Sequence, residues 1–148
     1  MAALLGSHLA LRDSNLTACS AQTGGAVALA SYSSAALAGL RVSGCTAARY
    51  GGAAQLQDGS AAAIVRCSVT ACSAGLLGGG LHALRGSTVA LNGTWFRGTS
   101  SSLQGACLNC TPPSPPRLPF PPAARCLGPP AGQRAAPPFC EATALAPE

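Results

Sequence analysis

The sequence predicts an all-β protein: a parallel β-helix (solenoid) of about four turns, followed by a disordered proline-rich C-terminal tail. Three observations predict this fold class. A glycine pair recurs about every 27 residues, large and small side chains recur at fixed positions between the pairs, and the composition becomes proline-rich near residue 109. A repeat of this length indicates units that stack, because one short unit cannot bury its own apolar face.

The glycine pairs mark the start of each predicted turn. They stand at Gly24-Gly25, Gly51-Gly52 and Gly79-Gly80, and a degenerate fourth copy is Gly105-Ala106. Glycine suits corners where the backbone takes a positive φ or approaches the neighbouring turn closely. The predicted turns span residues 5–23, 24–50, 51–78 and 79–104, in a repeat domain that covers 1–108 and precedes a Pro/Cys-rich tail over 109–148.

Four positions, counted from a serine that recurs in every turn, keep the same character from turn to turn. The reference position is a serine in all four turns: Ser7, Ser33, Ser60 and Ser87. The residues four positions later (Leu11, Leu37, Ile64 and Leu91) and nine positions later (Leu16, Val42, Val69 and Phe96) are large and apolar. Most of the residues twelve positions later (Cys19, Cys45, Cys72 and Thr99) and fourteen positions later (Ala21, Ala47, Ala74 and Ser101) are small. Short apolar runs at 9–11, 64–67 and 88–91 favour strands, with neighbouring turns stacked about 4.8 Å apart.

This pattern resembles the right-handed parallel β-helix of the pectin-lyase-like superfamily. More narrowly, it is similar to the repeats of polymorphic outer membrane proteins, in which a Gly-Gly-Ala-aliphatic element alternates with a Phe-x-x-Asn-x-Ala-like element. The second element occupies residues 16–21, 42–47, 69–74 and 96–101 of this chain. Cysteine stands where that family has asparagine, so the resemblance implies the fold but not the family's stacked amide ladder.

One group of cysteines lies within the repeats. Cys19, Cys45 and Cys72 share one position of the repeat, and Cys67 precedes the last of them by five residues. Stacked Cα atoms about 4.8 Å apart lie within the range of a disulfide, and Cys45 to Cys72 is the favoured bridge if one forms. Three stacked thiols cannot all pair with one another, and buried cysteine packs as a small hydrophobe, so a mostly reduced column is the favoured interpretation.

The other cysteines lie at or beyond the end of the repeats: Cys107, Cys110, Cys126 and Cys140. A Cys-x-x-Cys pair followed by two more thiols is one pattern of a zinc site, but 13 residues and several prolines separate the later pair. Two disulfides that tie down the tail are favoured if the compartment is oxidising. The tail itself has the composition of a linker or of a polyproline ligand, since dense proline removes backbone donors and excludes further turns.

Charge and targeting signals exclude several classes of function. The net charge of +5 comes from scattered arginines, which predicts solvated outer-face side chains and no nucleic-acid interface. No apolar stretch is long enough to span a membrane, and no signal peptide is visible in this chain. Possible N-glycosylation sites at Asn15 and Asn92, with a weaker one at Asn109, favour an extracellular or cell-surface location.

Few residues are available for catalysis. The four acidic residues are Asp13, Asp58, Glu141 and Glu148, and the two within the repeats fall at different positions of the repeat. Glycoside hydrolysis by two carboxyl groups needs them to face one another, so these two predict no acid–base pair. His8 and His82 are also out of register, and both are expected at the surface or at corners. No catalytic residue, cofactor or metal site is therefore predicted.

The predicted function is a non-catalytic β-helical repeat segment of a larger extracellular or cell-surface protein, with a structural or adhesion/carbohydrate-binding role. The expected partners are polysaccharide or cell-wall components and further β-helix turns of a longer parent chain. Two alternatives stay open from the sequence. One is a fragment of a polysaccharide lyase or hydrolase whose catalytic turns lie outside this chain, and the other is a zinc or redox module built on the last four cysteines.

Overall fold

The structure is a computed structural model that describes residues 1–103, together with the backbone of residues 108–110 and 139–142. Every regular element in this part of the chain is a β-strand. The strands follow one another in coils of four, here called coils 1 to 4. Coil 1 contains β1 (Ala2–Ala3), β2 (His8–Arg12), β3 (Asn15–Thr17) and β4 (Ser20–Thr23); coil 2 contains β5 (Val27–Leu29), β6 (Ser34–Ala38), β7 (Arg41–Ser43) and β8 (Thr46–Tyr50). Coil 3 contains β9 (Ala54–Leu56), β10 (Ala61–Val65), β11 (Ser68–Thr70) and β12 (Ser73–Ala74); coil 4 contains β13 (Leu81–Ala83), β14 (Thr88–Asn92), β15 (Thr94–Arg97) and β16 (Ser100–Ser101).

Equivalent strands of successive coils pair in parallel and form four sheets. Sheet A has the order β1-β5-β9-β13, sheet B β2-β6-β10-β14, sheet C β3-β7-β11-β15 and sheet D β4-β8-β12-β16. Two later strands extend these sheets: β17 (Leu108–Cys110) continues sheet A in parallel with β13, and β18 (Phe139–Ala142) pairs antiparallel with β15 in sheet C. The chain is therefore a parallel β-helix of about four coils, which confirms the predicted fold class.

The strand register places the recurring positions of the sequence next to one another. Leu11 pairs with Leu37, which pairs with Ile64, which pairs with Leu91. We call such a set of equivalent residues a column. In sheets A, B and C, paired residues of coils 1 and 2 are 26 positions apart in the sequence, whereas paired residues of later coils are 27 positions apart. The difference is absorbed by an irregularity in β4 between Ala21 and Thr23.

Alternation along each strand sends every second side chain into the core. In β6, for example, Ala35 and Leu37 are buried whereas their neighbours are partly exposed. The inward columns of sheets A, B and C form one hydrophobic cluster together with Cys45 and Cys72, and its largest member is Phe96. Small residues fill much of this cluster, so the interior is narrow, and a cavity of about 30 Å³ lies beside Phe96 and Val69.

The structure corrects two details of the predicted repeat. The amide of Gly52 donates to the carbonyl of Gly78, so the third glycine pair in register with Gly24-Gly25 is Gly78-Gly79 rather than Gly79-Gly80. The predicted run 64–67 is not one strand: β10 ends at Val65, and Arg66 turns the chain with a φ of 51°. Sequence alone did not fix these boundaries because Gly80 belongs to a run of three glycines and because Cys67 is apolar like Ile64 and Val65.

Coil 1 forms the N-terminal end of the described stack of coils. Each of its four strands pairs with coil 2 on one side only, within the part of the chain that the structure describes. The inward leucines of this coil, Leu9, Leu11 and Leu16, are only partly buried as a result. Among the described residues, no helix is long and apolar enough to cross a membrane.

Candidate functional site

The corner between sheets A and B, here called the A–B corner, has the same backbone shape in every coil. In each coil, the hydroxyl of the reference serine donates a hydrogen bond to the backbone carbonyl three residues earlier: Ser7 to Leu4, Ser33 to Ala30, Ser60 to Gln57 and Ser87 to Leu84. These bonds give the turning backbone's carbonyl a hydrogen-bond donor, and in coil 4 the amide of Ser87 donates to the same carbonyl as its hydroxyl. The serine column that defines the repeat in the sequence is therefore a structural element of this corner.

Two successive residues before each serine take a left-handed conformation. The second of the two is glycine in coils 1, 3 and 4, at Gly6, Gly59 and Gly86 with φ values of 69°, 72° and 72°. In coil 2 it is Tyr32, with a φ of 60°. A bulky side chain is rarely found in this region of backbone space, whereas glycine enters it freely. Tyr32 is thus the one member of this column that departs from glycine.

Charged and polar side chains lie at the A–B corner and at the adjoining start of sheet B. The guanidinium of Arg85 lies 3.2 Å from the carboxylate of Asp58, and the two side chains are 68% and 34% exposed. At the start of sheet B, the ring nitrogen Nδ1 of His8 lies 2.8 Å from the hydroxyl of Ser34. Tyr32 was not among the residues predicted from the sequence. The available signal was an aromatic residue at a position that is glycine in the other three coils.

A second group of polar residues lies on the outer face of sheet A. His82 occupies the column of Gln55, and both side chains are buried, at 3% and 4% exposure. The ring of Tyr50 stacks on His82 with a centroid separation of 5.1 Å, and the guanidinium carbon of Arg49 lies 5.5 Å from the centroid of the Tyr50 ring. The prediction that both histidines lie at the surface or at corners is wrong for His82, because the chain leading into the glycine turn folds over this face.

Burial of the His82 side chain affects its protonation. Neither of its ring nitrogens has a hydrogen-bond partner among the described residues, and desolvation lowers the pKa of His82 below the ordinary value of 6.5. The neutral ring is the form that suits this environment, since an unpaired buried charge is costly.

We expect the stability of the protein to fall as the pH decreases below about 6.5. The folded state binds the His82 proton less readily than the unfolded state, so protonation favours unfolding from the unfolded pKa down to the lowered folded pKa. Urea unfolding followed by circular dichroism at a series of pH values measures this dependence. The control is His82→Gln, which copies Gln55 of the preceding coil and should lose this part of the slope. An identical slope in both proteins would contradict the assignment to His82.

The repeat cysteines are free thiols in the structure: Cys19, Cys45, Cys67 and Cys72. Cys19, Cys45 and Cys72 share one column, and each donates to the carbonyl two residues before it at 3.4–3.6 Å. Cys45 and Cys72 are completely buried. Burial raises the pKa of Cys45, and it raises the pKa of Cys72 to about 11, with the neighbouring thiols contributing. Because the thiolate is the reactive form, these thiols are poorly suited to redox chemistry.

Cys67 belongs to a different column, which the spacing of the sequence did not reveal. Its equivalents are Leu40 and Thr94 in the adjacent coils. The Sγ of Cys67 lies 3.4 Å from the carbonyl of Val65, and the hydroxyl of Thr94 donates in the same way to the carbonyl of Asn92. A thiol or a hydroxyl at this position therefore donates to a backbone carbonyl at the corner between sheets B and C. Burial raises the pKa of Cys67 as well.

Several predicted site residues lie outside the residues whose side chains are described. These are the tail cysteines Cys107, Cys110, Cys126 and Cys140, the sequon residue Asn109, and the degenerate pair Gly105-Ala106. The backbone of Cys110 lies in β17 and that of Cys140 in β18, and the tail disulfides and the zinc alternative stay predictions. Within the described residues, no group of three or more His, Cys, Asp or Glu side chains could hold a metal ion.

The remaining predicted residues lie at the surface. Asn15 and Asn92 are exposed, as a glycosylation acceptor must be. All six arginines of the coils are exposed, as predicted: Arg12, Arg41, Arg49, Arg66, Arg85 and Arg97. Asp13 lies at the corner between sheets B and C in coil 1, where its carboxylate covers Gly39. Asp58 lies at the A–B corner in coil 3, so the structure does not bring the two carboxylates together.

Comparison with family models, curated proteins and solved structures finds no match to this chain. The class of protein is therefore defined by its fold. The chain is a β-solenoid protein, a parallel β-helix whose A–B corner carries the exposed Tyr32 and the ion pair of Asp58 and Arg85.

Proposed function

We propose that this chain is a non-catalytic β-helical repeat segment of a larger extracellular or cell-surface protein, with a structural or adhesion role that involves contact with polysaccharide. The observation that carries this proposal is the placement of the two carboxylates in the coils. Asp13 and Asp58 lie on different corners, two coils apart, and Asp58 is paired with Arg85. The common glycosidase mechanisms need two carboxyl groups about 5 to 10 Å apart across one bond, which this placement disfavours.

The extracellular setting has three supports. The repeat resembles the pectin-lyase-like β-helices and the repeats of polymorphic outer membrane proteins. Asn15 and Asn92 are exposed within their sequons. The buried thiols Cys45 and Cys72 have raised pKa values, so they resist thiolate formation and are compatible with an oxidising compartment.

Further coils of a longer parent chain are the proposed partners of the N-terminal end. The free edges of β2, β3 and β4 present backbone groups that a parallel strand would satisfy, and the inward leucines of coil 1 are only partly covered. Natural solenoids cover such edges, because an open edge pairs with other chains.

The test uses the full chain incubated with insoluble polysaccharide suspensions, a β-1,4-glucan and a polygalacturonate gel. We expect retention of the protein on at least one of them and no release of reducing ends or unsaturated products over long incubation. The matched control is the Asp13→Asn variant, which should be retained equally and should give the same result in the product assay, because Asp13 lies on a different corner from Asp58. Formation of new chain ends by the purified protein, absent in the Asp58→Asn or Asp13→Asn variant, would overturn the non-catalytic proposal in favour of a lyase or hydrolase.

A further inference from the structure

Tyr32 holds a backbone conformation that its own side chain disfavours. Its φ is 60°, and its equivalents in the other coils are Gly6, Gly59 and Gly86. The conformation is enforced by the solenoid, because the amide of Tyr32 donates to the carbonyl of Asp58 in the next coil. A strained non-glycine residue that the surrounding structure holds in place is a reason to look for a function of its side chain.

One edge of the Tyr32 ring lies beside the backbone of the next coil. A Cβ atom built on Gly59 would lie 2.6 Å from the Cε1 atom and 2.7 Å from the Cδ1 atom of the ring, so the ring occupies the space beside the Gly59 backbone. At the same time the side chain is 80% exposed. One edge of the ring therefore lies beside the Gly59 backbone of coil 3, while most of the Tyr32 side chain faces solvent.

Hydrogen-bonding groups of both kinds lie at the same corner as this ring. Asp58, in the coil that supports the ring, offers carboxylate oxygens, and its partner Arg85 offers guanidinium N–H groups from the following coil. On the side of sheet B, the His8 and Ser34 side chains form a pair two residues beyond Tyr32. The charges of Asp58 and Arg85 cancel, so the corner presents donors and acceptors without a net charge.

We infer that the A–B corner binds a pyranose unit of a polysaccharide, with the Tyr32 ring as the stacking surface and Asp58 and Arg85 as hydrogen-bonding groups. This inference rests on the proposed function and assigns a site to it. A pyranose has an apolar C–H face bordered by hydroxyls, which matches a fixed aromatic ring bordered by polar side chains. The neighbours of the ring in coils 3 and 4 are polar or glycine, whereas a protein partner would be expected to bury a wider apolar surface.

The experiment is calorimetric titration of the full chain with two soluble probes, cellohexaose as a neutral chain and hexagalacturonate as an acidic one. We expect saturable binding of at least one probe. Tyr32→Gly should lower the affinity at least about tenfold, as expected for a tyrosine that anchors a contact. Tyr32→Phe should bind close to the wild type, because the stacking face is kept. Tyr32→Gly should not lower the thermal unfolding midpoint, since glycine suits a φ of 60°.

Two controls distinguish a sugar site at Tyr32 from binding at a different aromatic residue and from self-association. Trp95→Ala removes another exposed aromatic side chain, on sheet C, and should leave the affinity unchanged. Sedimentation of the wild type and Tyr32→Gly tests whether the ring, next to the exposed Leu5 of coil 1, instead joins two copies of the chain. Binding of neither probe, or self-association lost in Tyr32→Gly without sugar binding, would overturn the inference. Equal binding by the wild type and Tyr32→Gly would also overturn it, while leaving a polysaccharide role elsewhere on the surface intact.

Discussion

Replacement of Gly52 by alanine should destabilise the solenoid by about 3 kcal/mol or more, because the added Cβ atom has no space. This atom would lie 2.6 Å from the carbonyl oxygen of Ser73 and would overlap that of Gly79. Both obstacles are backbone atoms of the next coil, so a side-chain rotation cannot relieve the overlap. Urea unfolding of the purified variant, followed by circular dichroism, measures the loss.

The matched control for Gly52 is Gly44→Ala. Gly44 has a φ of 60°, but no atom lies within 4 Å of a Cβ built on it. The equivalent residues of the neighbouring coils, Ala18 and Ala71, already take φ values of 52° and 50°. We therefore expect a loss of about 1 kcal/mol, from the backbone conformation alone. If Gly52→Ala were no more destabilised than Gly44→Ala, close approach between coils would not be the reason for the glycine pair.

Phe96→Ala should destabilise the protein by about 3 to 5 kcal/mol, the range for removal of a fully buried aromatic side chain. Phe96 is 1% exposed and is the largest side chain in the core. It also lines the existing cavity of about 30 Å³ with Val69 and Ile64, so its removal enlarges a space that the rigid stack of coils cannot close. The unfolding free energy from urea titration is again the quantity to measure.

The adjacent residue gives the control for Phe96. Trp95 precedes it in β15 and is 54% exposed on the outer face of sheet C. Trp95→Ala should cost about 1 kcal/mol or less, since most of its surface already contacts solvent. Similar losses for the two variants would show that side-chain alternation in β15 does not decide which residue supports the core.

The columns of the coils could be predicted because stacking imposes the same environment on each equivalent position. Leu11, Leu37, Ile64 and Leu91 lie in register as the spacing required, and so do the thiols Cys19, Cys45 and Cys72. The third glycine pair was assigned one residue too late, because three successive glycines at 78–80 leave the register open. The hydrogen bond from Gly52 to Gly78 identifies the equivalent residue.

The candidate site could not be predicted from the same regularity. Tyr32 matters because it departs from glycine at a left-handed position, and its φ of 60° is visible only in the folded corner. His82 was expected at the surface, and its burial depends on the Tyr50 ring, which stacks on it from the end of coil 2. Contacts of this kind join residues of different coils and leave no periodic trace in the sequence.

The sequence by itself determined the fold class, the length of the repeat and the inward columns, because these follow from a local alternation that each coil repeats. The tertiary structure decided which corner carries exposed functional groups, and it decided the environments of His82 and Cys67. The physical reason is that these properties depend on residues of other coils: Asp58 beside Tyr32, Tyr50 against His82, and Leu40 and Thr94 around Cys67. A periodic pattern predicts that the coils stack. The environment of a side chain outside that pattern depends on the residues that stacking places next to it.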